Sequence, residues 1–199
     1  MHSPSPKPAK AGALLRVTGG TLRGRRIRVP DGIIRPSMDQ MRESVFACLG
    51  DLSGQSFLDM FTGSGIIALE AASRGAAYIE AVENDPLKRK TLLDNVAISP
   101  VRIHCRFISA ELYVQRAKKC FDVVFLDPPF PYQYTWDLLI RVAASPLISG
   151  GGIVLLHRAR ENVSNEPFGE KLVQIDCREY GRSTVDFFKL KTAAEKEML

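Results

Sequence analysis

The sequence predicts an α/β protein built on a doubly wound, mostly parallel β-sheet. From residue 56 onward, short apolar runs rich in Val, Ile, Leu and Phe alternate with stretches of helical composition. Near-continuous apolar runs are typical of parallel strands, because helices cover both faces of such a sheet. Three of the runs end at or near an acid: Asp59, Glu83 and Asp127. Since ligands bind at the carboxyl ends of the strands in these folds, the three acids predict a site at that edge.

Residues 14–30 predict a β-hairpin ahead of the sheet. Two β-forming segments flank Gly19 and Gly20, and a Gly-Gly pair is typical of a tight hairpin turn. Alternation along residues 26–29 puts arginines on one face of the second strand and aliphatic side chains on the other. We therefore expect residues 13–36 to form an extension that presents a basic face.

The next segment predicts a helix that begins near Ser37. This residue suits the N-cap position, and Gln40 completes a capping box three residues later. Apolar side chains then recur at helical spacing as far as Leu52. Arg42 lies near the polar side of this helix, where the pattern is equally compatible with a solvated side chain and with a contact to a phosphate or a cofactor carboxylate.

The later elements follow from the same two patterns. Ala, Leu and Glu favour a helix after residue 65, and Gly75 is a typical C-terminal stop. The predicted strands cover residues 56–61, 78–83, 101–107, 121–126, 153–156, 171–178 and 184–190, and the predicted helices cover residues 66–75, 86–97, 109–118 and 132–144.

Length and composition are those of a soluble globular domain. The chain has 199 residues, of which 45% are hydrophobic and 25% are charged. No apolar stretch approaches the roughly 20 residues of a membrane span. The four cysteines are scattered and there are only three histidines, so we expect no metal site and reduced, mostly buried cysteines. These features predict a cytoplasmic protein without a membrane partner, and the size of the domain favours a monomer.

Positive charge is concentrated at the N-terminus. Residues 1–35 carry eight Lys and Arg side chains against one acid, a net charge of +7, whereas the rest of the chain sums to −2. We expect residues 1–12 to form a disordered basic arm and residues 191–199 a C-terminal tail. A basic segment on a near-neutral body favours a nucleic-acid partner over a tail that only aids solubility. The candidate RNA-binding arginines are Arg16, Arg23, Arg25, Arg26, Arg28, Arg35 and Arg42.

A glycine-rich turn follows the first strand of the predicted sheet. Gly63 and Gly65 let the backbone approach a ligand closely, and the helix after them presents free N–H groups. Glu83 lies twenty residues past Gly63, where an acid that binds ribose hydroxyls is expected. Residues 63–68 also fit the G-x-G-x-x-A pattern of dinucleotide enzymes, so this turn alone leaves an NAD enzyme open.

Asp59 favours a different cofactor. It lies four residues before Gly63, where its negative charge would repel a diphosphate but would attract an ammonium group such as that of S-adenosylmethionine. No Tyr-x-x-x-Lys pair for hydride transfer follows downstream. A purely structural alternative is that Asp59 accepts hydrogen bonds from the turn after it.

The segment from Asp127 to Phe130 carries the second chemical signal. Pro128 and Pro129 fix the backbone, remove two N–H donors and stop the preceding strand. The Asp127 carboxylate and the Pro128 carbonyl are then free to accept hydrogen bonds from an NH₂ group, while Phe130 can stack on the ring that bears it. Adenine, cytosine and guanine carry such groups. The alternative is a rigid turn that only caps a strand.

These segments resemble known methyltransferase motifs. Residues 59–65 look like the first motif of class I S-adenosylmethionine-dependent methyltransferases, and residues 127–130 resemble the [DN]-P-P-[FYW] motif of those that methylate exocyclic amines. With the segments 35–44 and 180–184, the chain is similar over residues 14–190 to the bacterial family that methylates N2 of guanine 966 in 16S ribosomal RNA. It departs from that family at Ser37, at Gln40 and Met41, and at residues 157–160, where an acid or Ser is expected nearby.

The resemblance implies a fold, a cofactor and a set of site residues. The fold is a seven-stranded class I methyltransferase sheet over residues 37–190, preceded by the hairpin. The partner is 16S ribosomal RNA within a small-subunit particle. The implied catalytic residues are Asp127, Pro128 and Phe130. The implied S-adenosylmethionine-binding residues are Asp59, Phe61, Gly63, Gly65, Glu83, Asn84, Ser109, Ala110 and Asp127.

Other functions remain open at this point. An adenine-N6, protein glutamine-N5 or other amino-methyltransferase shares the amine motif, although Asn is more usual there than Asp127. A noncatalytic RNA-binding assembly factor is the alternative from a different class. A cytosine-C5 enzyme needs a nucleophilic cysteine in a loop, and none of the four cysteines fits that context.

Overall fold

The computed structural model describes residues 12–30, 39–163 and 171–191. Its strands and helices match the predicted order, with boundary shifts of a few residues. The strands are β1 (Leu14–Arg16), β2 (Arg26–Arg28), β3 (Ser56–Met60), β4 (Tyr78–Val82), β5 (Ile103–Arg106), β6 (Phe121–Leu126), β7 (Ile148–Ala159), β8 (Leu172–Tyr180) and β9 (Ser183–Leu190). The α-helices are α1 (Asp39–Leu49), α2 (Ile66–Ser73), α3 (Arg89–Val96), α4 (Ala110–Gln115) and α5 (Thr135–Ala144).

The predicted doubly wound sheet is confirmed. Seven strands lie in the order β5-β4-β3-β6-β7-β9-β8, and β9 runs antiparallel between its two neighbours while the other pairs are parallel. Strands β4, β3 and β6 are therefore adjacent and point the same way. Their carboxyl ends bring Asp59, Glu83 and Asp127 to one edge of the sheet.

Two layers of helices cover the sheet. The hairpin, α1 and α2 pack on one face, around side chains such as Val17, Phe46 and Phe57. Helices α4 and α5 pack on the other face, around Val114 and Leu139. Because both faces are covered, the central strands are buried over nearly their whole length, as their continuous apolar runs require.

The hairpin differs from the prediction in its connection. Strands β1 and β2 pair antiparallel as expected, and Ile27 is buried between exposed arginines. The Gly-Gly pair is not a two-residue turn, because the linking segment docks on the end of α2. The Ser73 hydroxyl donates to the Gly19 carbonyl at 2.5 Å and accepts from the Leu22 amide at 2.8 Å. A Cβ on Gly20 would lie 1.8 Å from the Ser73 carbonyl oxygen.

Two further details correct the sequence prediction. Strand β7 begins at Ile148, because Gly150–Gly152 are part of it. Its pairing with β6 shifts register between Phe121 and Val123.

The cysteines are not mostly buried as predicted, because Cys48, Cys120 and Cys177 are exposed and Cys105 is half-buried. A thiol is small enough to stand on a solvent face at little cost, so cysteine content alone does not predict burial.

Several predictions lie outside the described residues. They are the basic arm at residues 1–11, the contribution of Arg35, the Ser37 cap and the C-terminal tail beyond Lys191. Within the described ranges, no α-helix is both long and apolar enough to cross a bilayer. Among the same residues, His, Cys, Asp and Glu side chains nowhere form a group of three that could hold a metal ion.

Candidate active site

A cavity of about 770 Å³ opens at the carboxyl ends of β3, β4 and β6. It brings together residues from six separate parts of the sequence, which only the tertiary fold makes neighbours. Of the residues predicted for catalysis or cofactor binding, those that line it are Asp59, Phe61, Gly63, Glu83, Asn84, Ser109, Ala110, Asp127, Pro128 and Phe130.

Gly65 lies beneath the cavity wall and does not line it. It is the N-cap of α2 and adopts a left-handed conformation with φ of 82°, which glycine tolerates best. A Cβ at this position would lie 2.8 Å from Leu92 Cδ1 and 2.9 Å from Val96 Cγ1. Gly65 therefore leaves the space in which α3 packs against the glycine turn.

Asp59 is fully buried and only partly satisfied. Its Oδ2 accepts hydrogen bonds from the Thr62 hydroxyl and, at 3.1 Å, from the Ala68 amide, whereas its Oδ1 has no hydrogen-bond partner among the described residues. Burial raises the pKa of Asp59 to about 8, and the nearby charges of Asp127 and Glu83 act in the same direction. A cationic group in the cavity would satisfy the free oxygen and favour the ionised carboxylate.

Glu83 ties the glycine turn to the end of β4. Its Oε2 accepts from the Gly63 amide at 2.9 Å, while its Oε1 accepts from the Asp85 amide at 2.9 Å and lies 3.5 Å from Lys88 Nζ. A carboxylate has about four acceptor sites, so Glu83 retains capacity for a ligand hydroxyl. The side chain is 6% exposed, and its orientation is fixed by these bonds.

The Asp127 loop is held at both ends by backbone hydrogen bonds. The Asp127 amide donates to the Met60 carbonyl at 3.2 Å, and the Tyr132 amide donates to the Pro129 carbonyl at 2.7 Å. The Tyr132 ring packs edge-on against Phe61, with 5.3 Å between centroids, and its hydroxyl is hydrogen-bonded to Glu111. The loop therefore faces the glycine turn across the cavity.

His157 is a site residue that sequence reasoning missed. Its Nδ1 lies 2.7 Å from Asp127 Oδ1, and its ring packs edge-on against Phe130, with 5.7 Å between centroids. Strands β6 and β7 pair Leu126 with Leu156, so the next residue of each strand lies side by side. The signal was present in the sequence, because His157 directly follows the apolar run 153–156, as Asp127 directly follows the apolar run 121–126.

Arg42 was predicted from the sequence to bind RNA, and its position in the structure contradicts that prediction. Its side chain is fully buried, with Nε 3.1 Å from Glu70 Oε1 and one terminal nitrogen 2.6 Å from Asp39 Oδ1. The same nitrogen donates to the Arg16 carbonyl at 2.7 Å. The guanidinium therefore faces the interior between α1, α2 and the hairpin, where an RNA phosphate cannot reach it.

The other arginines of the described hairpin remain available. Those with exposed positions are Arg16, Arg23, Arg25, Arg26 and Arg28. Arg16 shares its charge with Asp39, 3.2 Å away. Asn95 fixes this basic surface relative to the cavity, because its amide nitrogen donates to the Arg28 and Ser64 carbonyls, both at 2.8 Å. The hairpin is thereby linked to the glycine turn through one side chain.

Comparisons with known proteins give a family and a fold. The family model described as conserved hypothetical protein 95 matches residues 15–189. A Bacillus subtilis protein named "Putative rRNA methyltransferase YlbH" is 30% identical over 182 residues, 88% of this chain and 98% of that protein. Ribosomal RNA small subunit methyltransferase D of Escherichia coli is 36% identical over 129 residues, 62% of this chain and 65% of that protein.

A solved structure supports the topology. The Escherichia coli protein named "Putative methyltransferase yhhF" superposes with a TM-score of 0.78 at 24% identity, covering 90% of this chain and 99% of that one. At this identity the likeness shows a shared fold. The seven-stranded sheet with its antiparallel β9 is therefore the class I methyltransferase fold.

Proposed function

The chain belongs to the family described as conserved hypothetical protein 95, and from that premise we propose that it methylates ribosomal RNA with S-adenosylmethionine. The proposal rests on one observation: a single cavity is lined by two carboxylates that lie in different environments. Asp59 is buried with an unpartnered oxygen, and Asp127 stands in a proline-stiffened loop beside Phe130. The first suits a cation, and the second suits an amine on a planar ring.

The residues of the glycine turn fit the cofactor. The unpartnered Oδ1 of Asp59 is a ready acceptor for an ammonium group. Glu83 would hold the ribose hydroxyls of the cofactor, and Ser109 and Ala110 would border its adenine; with Asn84, all of them line the same cavity. When bound, S-adenosylmethionine supplies a methyl group already activated on a positively charged sulfur.

The Asp127 loop receives the nucleophile. The Asp127 carboxylate and the Pro128 carbonyl accept the two N–H bonds of an exocyclic amine, and the base stacks on Phe130. Holding both hydrogens on one side favours a pyramidal nitrogen, whose lone pair then points away from the loop. This is catalysis by positioning and by preorganised acceptors. The loop reaches a base only when that base is turned out of its stack.

The finer assignment is N2 of guanine 966 in 16S ribosomal RNA. The names of the curated relatives point to small-subunit RNA, and an Asp at position 127 favours guanine over adenine, for which Asn is more usual. The exposed hairpin arginines bind phosphates next to the target nucleotide. The protein acts as a monomer on RNA within a small-subunit particle.

The test is methyl transfer from radiolabelled S-adenosylmethionine to two substrates taken from cells that lack this protein: naked 16S ribosomal RNA and small-subunit particles. We expect label in the RNA, and mapping of the modified nucleotide identifies the target. Asp127→Ala should lower turnover by about 10²- to 10³-fold, with little change in cofactor affinity by calorimetry. A fully active Asp127→Ala protein would contradict the mechanism, and RNA binding without any transfer would favour an assembly factor.

A further inference from the structure

We propose that His157 is a positioning residue that sets the orientation of the Asp127 carboxylate for methyl transfer, an inference that rests on the proposed function. The two side chains each lie one residue past the last paired position of the parallel strands β6 and β7, with 2.7 Å between Nδ1 and Oδ1. No motif in the sequence assigns His157 a role.

The prolines of the loop cannot do this alone. Pro128 and Pro129 restrict backbone φ, whereas the Asp127 side chain still rotates about its own two torsions. The Asp127 side chain is 23% exposed and lines the cavity, so packing does not hold its carboxylate. The hydrogen bond from His157 is what fixes the plane of the carboxylate.

The direction of that bond follows from the chemistry of the partners. An ionised carboxylate only accepts hydrogen bonds, so Nδ1 of His157 carries the proton and donates it to Oδ1. The other oxygen of Asp127, Oδ2, is then the one directed to the amine. Nε2 of His157 is buried and has no hydrogen-bond partner among the described residues, so the ring makes its directional contact through Nδ1.

His157 also supports the aromatic part of the site. The imidazole meets the Phe130 ring at 70°, with 5.7 Å between centroids. One buried ring therefore contacts both the group that accepts the amine hydrogens and the ring on which the base stacks. A small shift of His157 would displace both partners of the substrate together.

Two matched substitutions of His157 distinguish the effect of losing its hydrogen bond from the effect of changing the volume of its side chain. In His157→Asn the amide nitrogen occupies the place of Nδ1 and keeps the donor, whereas in His157→Gln it lies one atom further out and the donor to Oδ1 is lost. His104→Gln is the control, because this half-buried histidine lies on β5 and stacks on Tyr78 outside the cavity. Each variant is assayed for kcat, for KM toward RNA and for cofactor affinity.

We expect His157→Gln to lower kcat about 10- to 100-fold, the size of effect that a misplaced catalytic group produces. Its KM for RNA and its affinity for S-adenosylmethionine should stay within about threefold, which also shows that the variant folds. His157→Asn should recover most of the lost kcat. The imidazole nitrogen resonances of the wild type should show Nδ1 protonated.

Clear results would overturn the inference. Wild-type kcat in His157→Gln, an equal loss in both folded variants, or an imidazole protonated only at Nε2 would each rule out the donor role. If the wild-type protein itself transfers no methyl group to RNA, the proposed function fails instead, so the two failures are distinguishable.

Discussion

Arg42 and Glu70 form an ion pair in the interior of the protein, with 3.1 Å between Nε and Oε1 and with both side chains fully buried. Glu70 is also bonded to Arg74 and accepts from the Thr18 amide at 2.8 Å. This one carboxylate joins α1, α2 and the hairpin. A buried charge of this kind is tolerated only while its partners remain.

Arg42→Met should therefore act on stability and not on RNA recognition. It leaves Glu70 with an incompletely compensated charge, and loss of one partner from a buried pair costs about 3–5 kcal/mol. Urea denaturation measures the loss. The control is Arg26→Met on the exposed face of β2, where we expect a change within about 0.5 kcal/mol. If Arg42→Met left stability unchanged and weakened RNA binding, the result would support the phosphate contact that the sequence predicted for Arg42.

Arg42 also illustrates what a sequence can and cannot predict. The order of the elements along the chain, the three acids at strand ends and the glycine turn follow from short-range patterns, because apolar runs mark the strands and the residues after them mark the ligand-binding edge. The partner of a helix side chain depends on elements far away in sequence. Arg42 meets Glu70 only because α1 packs on α2, and no periodicity within α1 contains that information.

Two other sites show the same limit. Gly19 and Gly20 have the composition of a turn, but their role is close contact with the Ser73 hydroxyl and carbonyl. His157 follows an apolar run like any other, and only the parallel register of β6 and β7 places it beside Asp127. In both cases the missing information is tertiary, and it concerns contacts between segments more than 25 residues apart in the chain.

Gly20 and Gly24 provide a test of hairpin docking. Both have positive φ, +71° and +84°, but a Cβ on Gly20 meets the Ser73 carbonyl, whereas a Cβ on Gly24 meets nothing within 4 Å. Gly24→Ala should cost about 1–2 kcal/mol of backbone strain. Gly20→Ala should cost at least about 2 kcal/mol more, because overpacking adds to the same strain.

We can also predict which part of the structure Gly20→Ala destabilises. The Leu22 amide, which donates to Ser73 Oγ, should lose protection from hydrogen exchange in that variant and keep it in Gly24→Ala. Equal stability of the two alanine variants would mean that the hairpin does not depend on this contact with α2.

Asp59 should make the stability of the ligand-free protein depend on pH. Its pKa is raised to about 8 in the folded protein, chiefly by burial, from the ordinary value of 3.8. The folded state therefore holds this proton more tightly than the unfolded chain does, and stability falls as pH rises from about 4 to about 8. Above about pH 8 the contribution of Asp59 to stability no longer changes with pH.

Asp59→Asn removes this titration while keeping the shape of the side chain. The stability of the variant relative to wild type should thus rise between pH 4 and pH 8 and level off above, as urea denaturation at pH 5, 7 and 9 would show. The variant should also bind S-adenosylmethionine more weakly, because the acceptor for the ammonium group is gone. Parallel pH curves for the two proteins would mean that Asp59 is already ionised at neutral pH.

The exposed hairpin arginines should determine how RNA binding depends on salt. Each phosphate contact that is lost lowers the slope of log K against log salt concentration by about 0.7–0.9. The triple variant of Arg23, Arg25 and Arg26 to Ala should therefore reduce the slope by about 2 to 3. The matched control is Arg141→Ala on α5, an exposed arginine on the opposite face of the sheet. Its slope should equal that of the wild type, because a residue on that face cannot contact RNA bound over the hairpin. If Arg141→Ala lowers the slope as much as each hairpin arginine does, RNA binds to positive charge wherever it lies and the hairpin is not a specific RNA-binding surface.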